Sequence, residues 1–189
     1  MRTETRKDEI IKTSAILFKE KGFSAVTMRD IAKAMGMKAA SLYNHISSKQ
    51  EILSNIIISL AEEFTIGMEH IMSSKSTNIN KLNSIVELHV NITSNNAYGM
   101  ASLNNDWMHL VDNLDYYLKL RLDYEDNFRQ IIEQGITSKE LKNTNAEVML
   151  FSVLSTLRSL YIWIPNKEDL NPTKLAADLS FVLLTGIIK

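Results

Sequence analysis

The stretch TMRDIAKAMGMKAASLYNH, residues 27–45, decides how the first part of this chain folds. Thr27 can cap a helix, and Asp30 three positions later completes a capping-box pattern, so a short helix is predicted to begin here. Gly36 predicts the end of that helix, because glycine readily adopts the backbone that closes one. A second short helix is predicted at about Ala39–His45. Two short helices joined by a tight turn are typical of a helix-turn-helix unit.

The two short helices carry both an apolar and a polar set of side chains. Four apolar residues can pack the helices together: Ile31, Ala32, Met37 and Leu42. The second helix would then present small or polar side chains to the major groove of DNA. Helix-turn-helix units also occur as plain packing units, and in that alternative Asn44 is a surface residue and His45 a structural one. The candidate groove readers are Lys38, Ala39, Ala40, Ser41, Asn44 and His45.

The rest of the chain has the pattern of an all-α protein. Apolar residues recur at three- and four-residue spacing almost throughout, and the 189 residues include only two prolines and six glycines. About nine helices are predicted. Besides the two short helices, the principal segments are about Thr5–Lys21, Ser48–Met72, Lys81–Thr93, Asn113–Gly135, Ala146–Trp163 and Pro172–Ile188.

Charge divides the chain into two parts. Residues 1–50 carry ten Lys or Arg against five Asp or Glu, and residues 51–189 carry eleven against seventeen. A basic segment followed by an acidic one is typical of a small nucleic-acid-binding module joined to a body that does not bind DNA. Chance asymmetry is the alternative. We therefore expect a DNA-binding domain at 1–50 and a second domain at 51–189.

The composition argues against several other classes of protein. The absence of cysteine excludes disulfides and thiolate chemistry and fits a cytoplasmic protein. The N-terminus has no signal-peptide pattern, and the apolar runs Ile56–Leu60 and Phe181–Ile188 are too short to span a bilayer. No phosphate loop, nucleophile elbow or His-Glu-x-x-His motif is present, so no enzyme activity and no cofactor are expected. Asp106, His109 and Asp112 have a spacing that could bind a metal, but a surface turn with capping acids is favoured.

A longer pattern carries a family resemblance. The pattern runs in unbroken order over about residues 8–55 and consists of Ile11, Ala15, Leu17-Phe18, Gly22-Phe23, Thr27, Ile31-Ala32, Gly36, Ser41-Leu42-Tyr43-Asn44-His45, Ser48-Lys49 and Leu53. This segment resembles the N-terminal domain of the TetR family of bacterial repressors. The resemblance implies an all-α homodimer with a three-helix DNA-binding head, a linking fourth helix and a variable ligand-binding body.

The resemblance also implies roles for individual residues. Tyr43 and Lys49 match positions that contact DNA phosphates, and Thr27 matches one that meets the DNA backbone. In the alternatives, Tyr43 packs against the first helix and Lys49 is a solvated surface residue. Three positions depart from the family pattern: Lys38 replaces the usual capping serine or threonine, Ala40 a common glycine and Ile46 a common aromatic. We expect modest direct base readout, because Ala39 and Ala40 offer only methyl groups.

The resemblance places the dimer interface on the last two helices, which form a four-helix bundle with the partner in this family. An intramolecular core is the alternative for the same residues. A dimer also fits DNA geometry, since two heads about 34–36 Å apart meet successive major grooves of a near-palindromic operator. The interface candidates are Phe151, Ser152, Ser155, Ser159, Leu175, Leu179, Val182 and Leu183.

An effector pocket is expected among the helices of the body, although each candidate could instead belong to the core. The candidates are Phe64, Met68, Met72, His89, Tyr98, Met100, Trp107, Met108, Tyr117, Arg121, Tyr124, Phe128 and Trp163. A loose resemblance to acyl-CoA-responsive members of the family would give Arg121, Arg129 and Arg158 a role in holding phosphates. A generic hydrophobic small molecule is the favoured effector. The expected function is a repressor that such a molecule releases from DNA, with a ligand-independent regulator or an activator as the alternative.

Overall fold

The structure is a computed structural model that describes residues 5–188. Within that range the chain is helical, and its one extended pairing is an isolated antiparallel bridge between Leu141 and Ile188. The all-α prediction is confirmed. The α-helices are α1 (Arg6–Lys21), α2 (Met28–Ala34), α3 (Ala39–Leu42), α4 (Lys49–Ser73), α5 (Asn78–Asn95), α6 (Ala97–Asn105), α7 (Leu114–Thr137), α8 (Ala146–Arg158), α9 (Leu160–Trp163) and α10 (Pro172–Thr185), with 3-10 turns at Trp107–His109 and Ile164–Asn166.

The chain divides into two compact units. The first, called the head unit below, contains the described residues up to Ala61 together with Tyr98–Tyr117. The second, the body unit, contains Glu62–Ala97 and the chain from Leu118 onward. The head unit thus includes residues on both sides of the predicted domain boundary after residue 50, and that boundary stays a prediction.

Local signals explain how the head helices begin and end. Thr27 and Asp30 form the predicted capping box at the start of α2, and the Gly22 N–H bonds to the Phe18 carbonyl at the end of α1. Gly36 has a φ of +63°, the left-handed conformation that ends a helix. The third helix is shorter than predicted: it ends at Leu42, and Asn44 and His45 follow in turns.

The predicted helix Ala146–Trp163 is broken in the structure. α8 ends at Arg158, and Ser159 is both its C-cap and the residue before α9. The longer stretch Ala146–Asn166 has 21 residues and contains a segment with a mean hydropathy of 1.4, so by length and composition alone it could cross a membrane. The core helices of soluble proteins can have the same length and composition, and 39% of this segment is buried within the single chain.

The body unit packs its helices around α5. α10 lies against α5 over much of its length, and α8 and α9 also contact α5. The chain end is held by the Lys142 N–H, which donates to the Ile187 carbonyl at 2.7 Å, and by the Lys142 ammonium on the Gly186 carbonyl at 2.9 Å. These contacts fix α10 and therefore fix which of its side chains face outward.

Candidate nucleic-acid interface and effector site

The candidate DNA-reading surface lies on α2, α3 and the turns beside them. Leu42 and Ile46 are buried and hold α3 against the head, as Ile31 does for α2. Side chains between these anchors therefore point outward. Of the predicted DNA-binding residues, Ala39 is half-buried and the following are exposed: Thr27, Lys38, Ala40, Ser41, Tyr43, Asn44 and His45.

The N-terminus of α3 lacks a side-chain cap, as the sequence predicts. Lys38 occupies the N-cap position and makes no side-chain capping hydrogen bond. The free amides at this helix end and the Lys38 ammonium both favour an anion. Tyr43 is 53% exposed, which disagrees with the alternative in which it packs against α1.

Thr27 is bound within its own helix end. Its hydroxyl donates to the Asp30 carboxylate at 2.6 Å and accepts from the Asp30 N–H at 3.2 Å, while the Thr27 N–H bonds to the same carboxylate at 2.9 Å. The hydrogen bond from the Thr27 side chain is the main cause that lowers the pKa of Asp30. Asp30 is therefore ionised at neutral pH and places a negative charge beside Thr27.

Lys49 is half-buried and its ammonium lies against the loop between α1 and α2. Its Nζ donates to the Phe23 and Val26 carbonyls, each at 2.7 Å, and lies 4.3 Å from the centroid of the Phe23 ring. Burial lowers its pKa. These contacts connect the start of α4 to the loop between α1 and α2. Lys49 therefore positions the loop that precedes α2 and α3.

A segment that the sequence did not predict for the head also packs on that loop. The His109 ring stacks on Phe23 with centroids 5.3 Å apart, and the His109 carbonyl accepts from the Gln50 amide at 2.9 Å. The Asn113 amide donates to the Ser54 hydroxyl at 2.7 Å. Burial raises the pKa of Asp106 in the same segment. These partners lie more than fifty residues apart in sequence, so no local pattern could reveal them.

The spacing of Asp106, His109 and Asp112 does not produce a metal site in the structure. Within residues 5–188, the structure contains no group of three or more His, Cys, Asp or Glu side chains that could hold a metal ion. The turn that follows α6 instead serves the contacts with Phe23, Gln50 and Ser54.

The predicted effector-pocket residues fall into both units. Tyr98, Met100, Trp107, Met108 and Tyr117 belong to the head unit, where Met100 and Tyr117 are buried and Met108 is 60% exposed. The other candidates belong to the body unit. There, Phe64, Met68, His89, Tyr124 and Phe128 are buried, Met72 and Arg121 are half-buried, and Trp163 is exposed.

Three buried polar residues of the body unit lie close to one another, and we call them the polar cluster: His89, Thr93 and Tyr124. The His89 Nε2 and the Tyr124 hydroxyl are 2.9 Å apart, and the Phe64 ring lies 4.6 Å from the His89 ring. Burial lowers the pKa of His89 to about 3 and raises that of Tyr124, so both are uncharged at neutral pH. Among described residues, His89 Nδ1 and Thr93 Oγ1 make no hydrogen bond. Each buried polar group left unpaired costs about 1–3 kcal/mol of stability.

The three arginines considered for phosphate binding are all ion-paired. Arg158 donates to the Glu125 carboxylate at 2.5 Å and Arg121 to the same oxygen at 3.2 Å. Arg129 pairs with both Glu147 and Asp126. A ligand phosphate would have to replace these carboxylates.

An exposed apolar face, formed by Val148, Phe151, Phe181 and Val182, lies on α8 and α10. Their exposed fractions are 60%, 72%, 73% and 70%. Beside it, an open groove of about 480 Å³ is lined by Ser155, Thr156, Ser159, Leu160, Trp163, Leu175 and Leu179. Of the predicted interface residues, Ser152, Ser155 and Ser159 are exposed, and Leu175, Leu179 and Leu183 are half-buried.

The fold and the outward-facing α3 define a helix-turn-helix transcriptional regulator. The family model for the N-terminal domain of bacterial regulatory proteins of the tetR family matches residues 10–56, and the model for a tetracyclin repressor-like C-terminal domain matches residues 75–187. Since the second model alone covers more than half of the chain, the chain belongs to the TetR family. Its relatives are transcriptional regulators and not enzymes.

Curated relatives resemble the chain most in the head. It is 50% identical over 46 residues to the negative transcriptional regulator IcaR of the biofilm operon icaADBC from Staphylococcus aureus strain Newman, which is 24% of this chain and 25% of that protein. It is 26% identical over 133 residues to the HTH-type transcriptional repressor KstR2 of Rhodococcus jostii, which is 69% of this chain. The match spans 65% of that repressor.

Two solved structures share the whole fold. The ketosteroid transcriptional regulator KstR2 of Mycobacterium tuberculosis superposes with a TM-score of 0.92 and 18% identity, covering 100% of this chain and 97% of that one. AibR, in complex with isovaleryl coenzyme A and operator DNA, superposes with a TM-score of 0.78 and 18% identity, covering 94% and 97%. At this identity the likeness concerns the fold.

Proposed function

We propose that this protein is a homodimeric repressor that binds a near-palindromic operator and is released from it by a hydrophobic small molecule. The observation that carries the proposal is the exposed surface of α3 and its flanks, with Lys38, Tyr43 and Asn44 outward and Leu42 buried beneath them. An α-helix held in this way can enter a major groove with its side chains toward the base edges.

Within this surface, some residues would contact phosphates and others would contact base edges. Lys38 and Tyr43 would contact phosphates, which position the protein without selecting sequence. Ser41, Asn44 and His45 would reach base edges, and Ala40 would contact a thymine methyl group. Lys49 would act by positioning the α1–α2 loop, because its ammonium is held by carbonyls of the head. Thr27 would meet the DNA backbone at the start of α2.

The negative sign of regulation is supported by the relatives, since both KstR2 of R. jostii and IcaR are described as repressors or negative regulators. Ligand release is supported by the buried polar cluster in the body.

Dimerisation is supported by the exposed apolar face, because a monomer rarely leaves several large apolar side chains together in water. A two-fold dimer would read two inverted half-sites.

The experiment is an in vitro selection of genomic DNA fragments by the full-length chain, followed by binding titrations on the enriched duplex at several salt concentrations. We expect an inverted repeat and an affinity that falls steeply with salt, because bound lysines displace counterions. Lys38→Ala should lower the affinity and reduce the salt slope by about one. Lys75→Ala, an exposed lysine of the body unit, is the matched control and should leave both unchanged.

Each part of the proposal has its own contrary result. Failure to enrich any sequence would refute operator binding. Enrichment of a direct repeat or of a single half-site would refute binding by a two-fold symmetric dimer. Transcription that rises when the protein binds a promoter-proximal site would replace the repressor with an activator.

A further inference from the structure

We propose that the polar cluster of His89, Thr93 and Tyr124 binds the uncharged oxygen of an otherwise apolar effector, such as a ketone or an alcohol. This inference rests on the proposed function and deepens it by naming the chemical class of the effector. It replaces the acyl-CoA alternative, in which cationic side chains would hold phosphates.

Residues on three helices of the body unit form the site. Phe64 comes from α4, His89 and Thr93 from α5, and Tyr124 from α7. The rings of Phe64, His89 and Tyr124 are mutually in contact, with centroids 4.6 to 5.8 Å apart. Arg158 of α8 is near enough for its charge to act on both His89 and Tyr124. A ligand bound here would touch most of the unit at once.

Buried polar atoms without hydrogen-bond partners indicate that the cluster can bind a ligand. His89 is 3% exposed and Thr93 is fully buried, yet His89 Nδ1 and Thr93 Oγ1 have no partner among the described residues. The two residues are four positions apart on α5, so their side chains share one face of the helix. Most buried polar side-chain atoms in proteins do have a partner. Two such atoms on one face offer two hydrogen bonds to a single oxygen.

The hydrogen-bonding capacity fits a carbonyl or a hydroxyl group. If the Tyr124 hydroxyl donates to His89 Nε2, the ring carries its proton on Nδ1 and donates to the ligand. A carbonyl oxygen with two lone pairs then accepts from Nδ1–H and from the Thr93 hydroxyl. In the other tautomer Nδ1 accepts, and a ligand hydroxyl can supply the proton.

The surroundings exclude a charged group from this position. The Phe64 ring packs on His89 and Tyr124, and Met68 and Phe128, each one helical turn from a residue of this group, are also buried. An ion at the cluster would therefore lose its hydration. Arg158, whose charge acts on His89 and Tyr124, is already paired with Glu125 at 2.5 Å. Room for the apolar part can come from Met68, one turn from Phe64, because methionine changes rotamer readily.

A matched set of probes tests the proposal on the full-length protein: acetophenone, 1-phenylethanol, ethylbenzene and benzoate. They share a ring but carry a ketone, an alcohol, no oxygen and a carboxylate. Binding is measured by calorimetry at pH 7. The bound acetophenone is also examined by the infrared frequency of its carbonyl, which falls when the oxygen accepts hydrogen bonds.

Wild-type protein should bind acetophenone at least about tenfold more tightly than ethylbenzene, and benzoate should bind the weakest. Thr93→Val, which keeps the side-chain shape, should lower the acetophenone affinity about tenfold, the size of one neutral hydrogen bond. His89→Leu should lower the affinity by a similar factor and should reduce the infrared shift, because only the Thr93 hydroxyl still donates to the carbonyl. The ethylbenzene affinity should change in neither variant. Thr137→Val, on the exposed end of α7, is the control and should change nothing.

Three results would overturn the inference. Equal binding of acetophenone and ethylbenzene by the wild type would show that no polar group is recognised. Tighter binding of benzoate would show that the site takes an anion. An unchanged ketone preference in Thr93→Val, confirmed as folded by its unfolding transition, would place the recognition elsewhere. If the protein binds its selected DNA but fails these tests, only the inference about the effector is refuted. If it passes these tests but binds no DNA, only the proposed function is refuted.

Discussion

Lys49 connects two elements of the DNA-binding head. Its ammonium reaches two carbonyls of the α1–α2 loop at 2.7 Å and the face of the Phe23 ring. Hydrogen bonds from a charged donor contribute more than neutral ones, and a buried carbonyl left without its donor is destabilising. The side chain therefore stabilises the loop that orients α2 and α3.

Lys49→Met keeps the apolar stem and removes the donors. We expect the free energy of unfolding to fall by about 1.5–3 kcal/mol, as for the loss of a charge-assisted hydrogen bond. Urea titration monitored by circular dichroism measures it. Lys38→Met is the control: Lys38 is exposed and uncapped, so stability should change by less than about 0.5 kcal/mol while DNA affinity falls. If Lys49→Met weakened DNA binding without lowering stability, its role would be phosphate contact instead.

His89 gives the body unit a defined sensitivity to acid. Its pKa is lowered to about 3 by burial, whereas an unfolded chain has the ordinary value of about 6.5. Between these values only the unfolded state takes up the proton, so stability is complete above pH about 6.5 and falls as the pH drops toward 3.

His89→Gln should remove this part of the acid sensitivity, because glutamine stays uncharged and can still hydrogen-bond Tyr124. We expect the melting temperature of the wild type to fall faster than that of the variant between pH 7 and pH 4. Differential scanning calorimetry at several pH values measures the difference. Parallel curves would mean that His89 is accessible to protons in the folded state.

Residue roles were predictable from the sequence where the partners are local. The Thr27–Asp30 box and the absent cap at Lys38 both depend on neighbours within one helical turn, and both were predicted. The carbonyl partners of Lys49 lie more than twenty positions earlier in the chain. The family resemblance assigned Lys49 to DNA phosphates, which stays a prediction, and no local sequence pattern could indicate its bonds to these carbonyls.

At the scale of elements, the turn between α2 and α3 depends on the backbone of Gly36. Its φ of +63° lies in the left-handed region, and a Cβ added there would meet no atom within 4 Å. A substitution would therefore change backbone strain without changing packing. The turn sets the angle at which α3 leaves α2, so the strain would act directly on the DNA-reading helix.

Gly36→Ala should destabilise the head by about 1–2 kcal/mol, the cost of a left-handed conformation in an L-residue. Gly186→Ala is the matched control, because Gly186 also has open space around its Cβ but has a φ of −68°. That variant should be neutral or slightly stabilising. Urea unfolding of both proteins measures the pair, and equal effects would contradict an origin in backbone strain.

Helix identity was predictable and helix continuity was not. Apolar spacing and end signals gave the positions of α1, α2, α4 and α10 to within a few residues. The break at Ser159 was missed because neither a glycine nor a proline marks it. α3 was predicted too long because no glycine or proline separates Leu42 from His45, whereas in the structure the helix ends at Leu42.

At the scale of the whole molecule, the apolar face on α8 and α10 is uncovered in a single chain. Phe151 and Phe181 are 72% and 73% exposed, so most of their apolar surface faces water in one chain. A two-fold interface uses each residue twice, once from each subunit. The sequence identified these helices through the family resemblance, whereas their outward faces required knowing how α10 packs on α5.

Phe151→Glu and Phe181→Glu should each convert the proposed dimer into monomers. Burial of one phenylalanine contributes about 1.5–3 kcal/mol, hence about 3–6 kcal/mol for the two copies in a symmetric dimer. The dimer dissociation constant should therefore rise by roughly two to four orders of magnitude. Sedimentation velocity at micromolar concentration measures it, and DNA affinity should fall in parallel because one head reads only one half-site. Leu122→Glu, at a leucine of α7 that is 59% exposed, should leave the dimer intact. A dimer retained in both phenylalanine variants would move the interface to another surface, and a monomer in the Leu122 control would extend it onto α7.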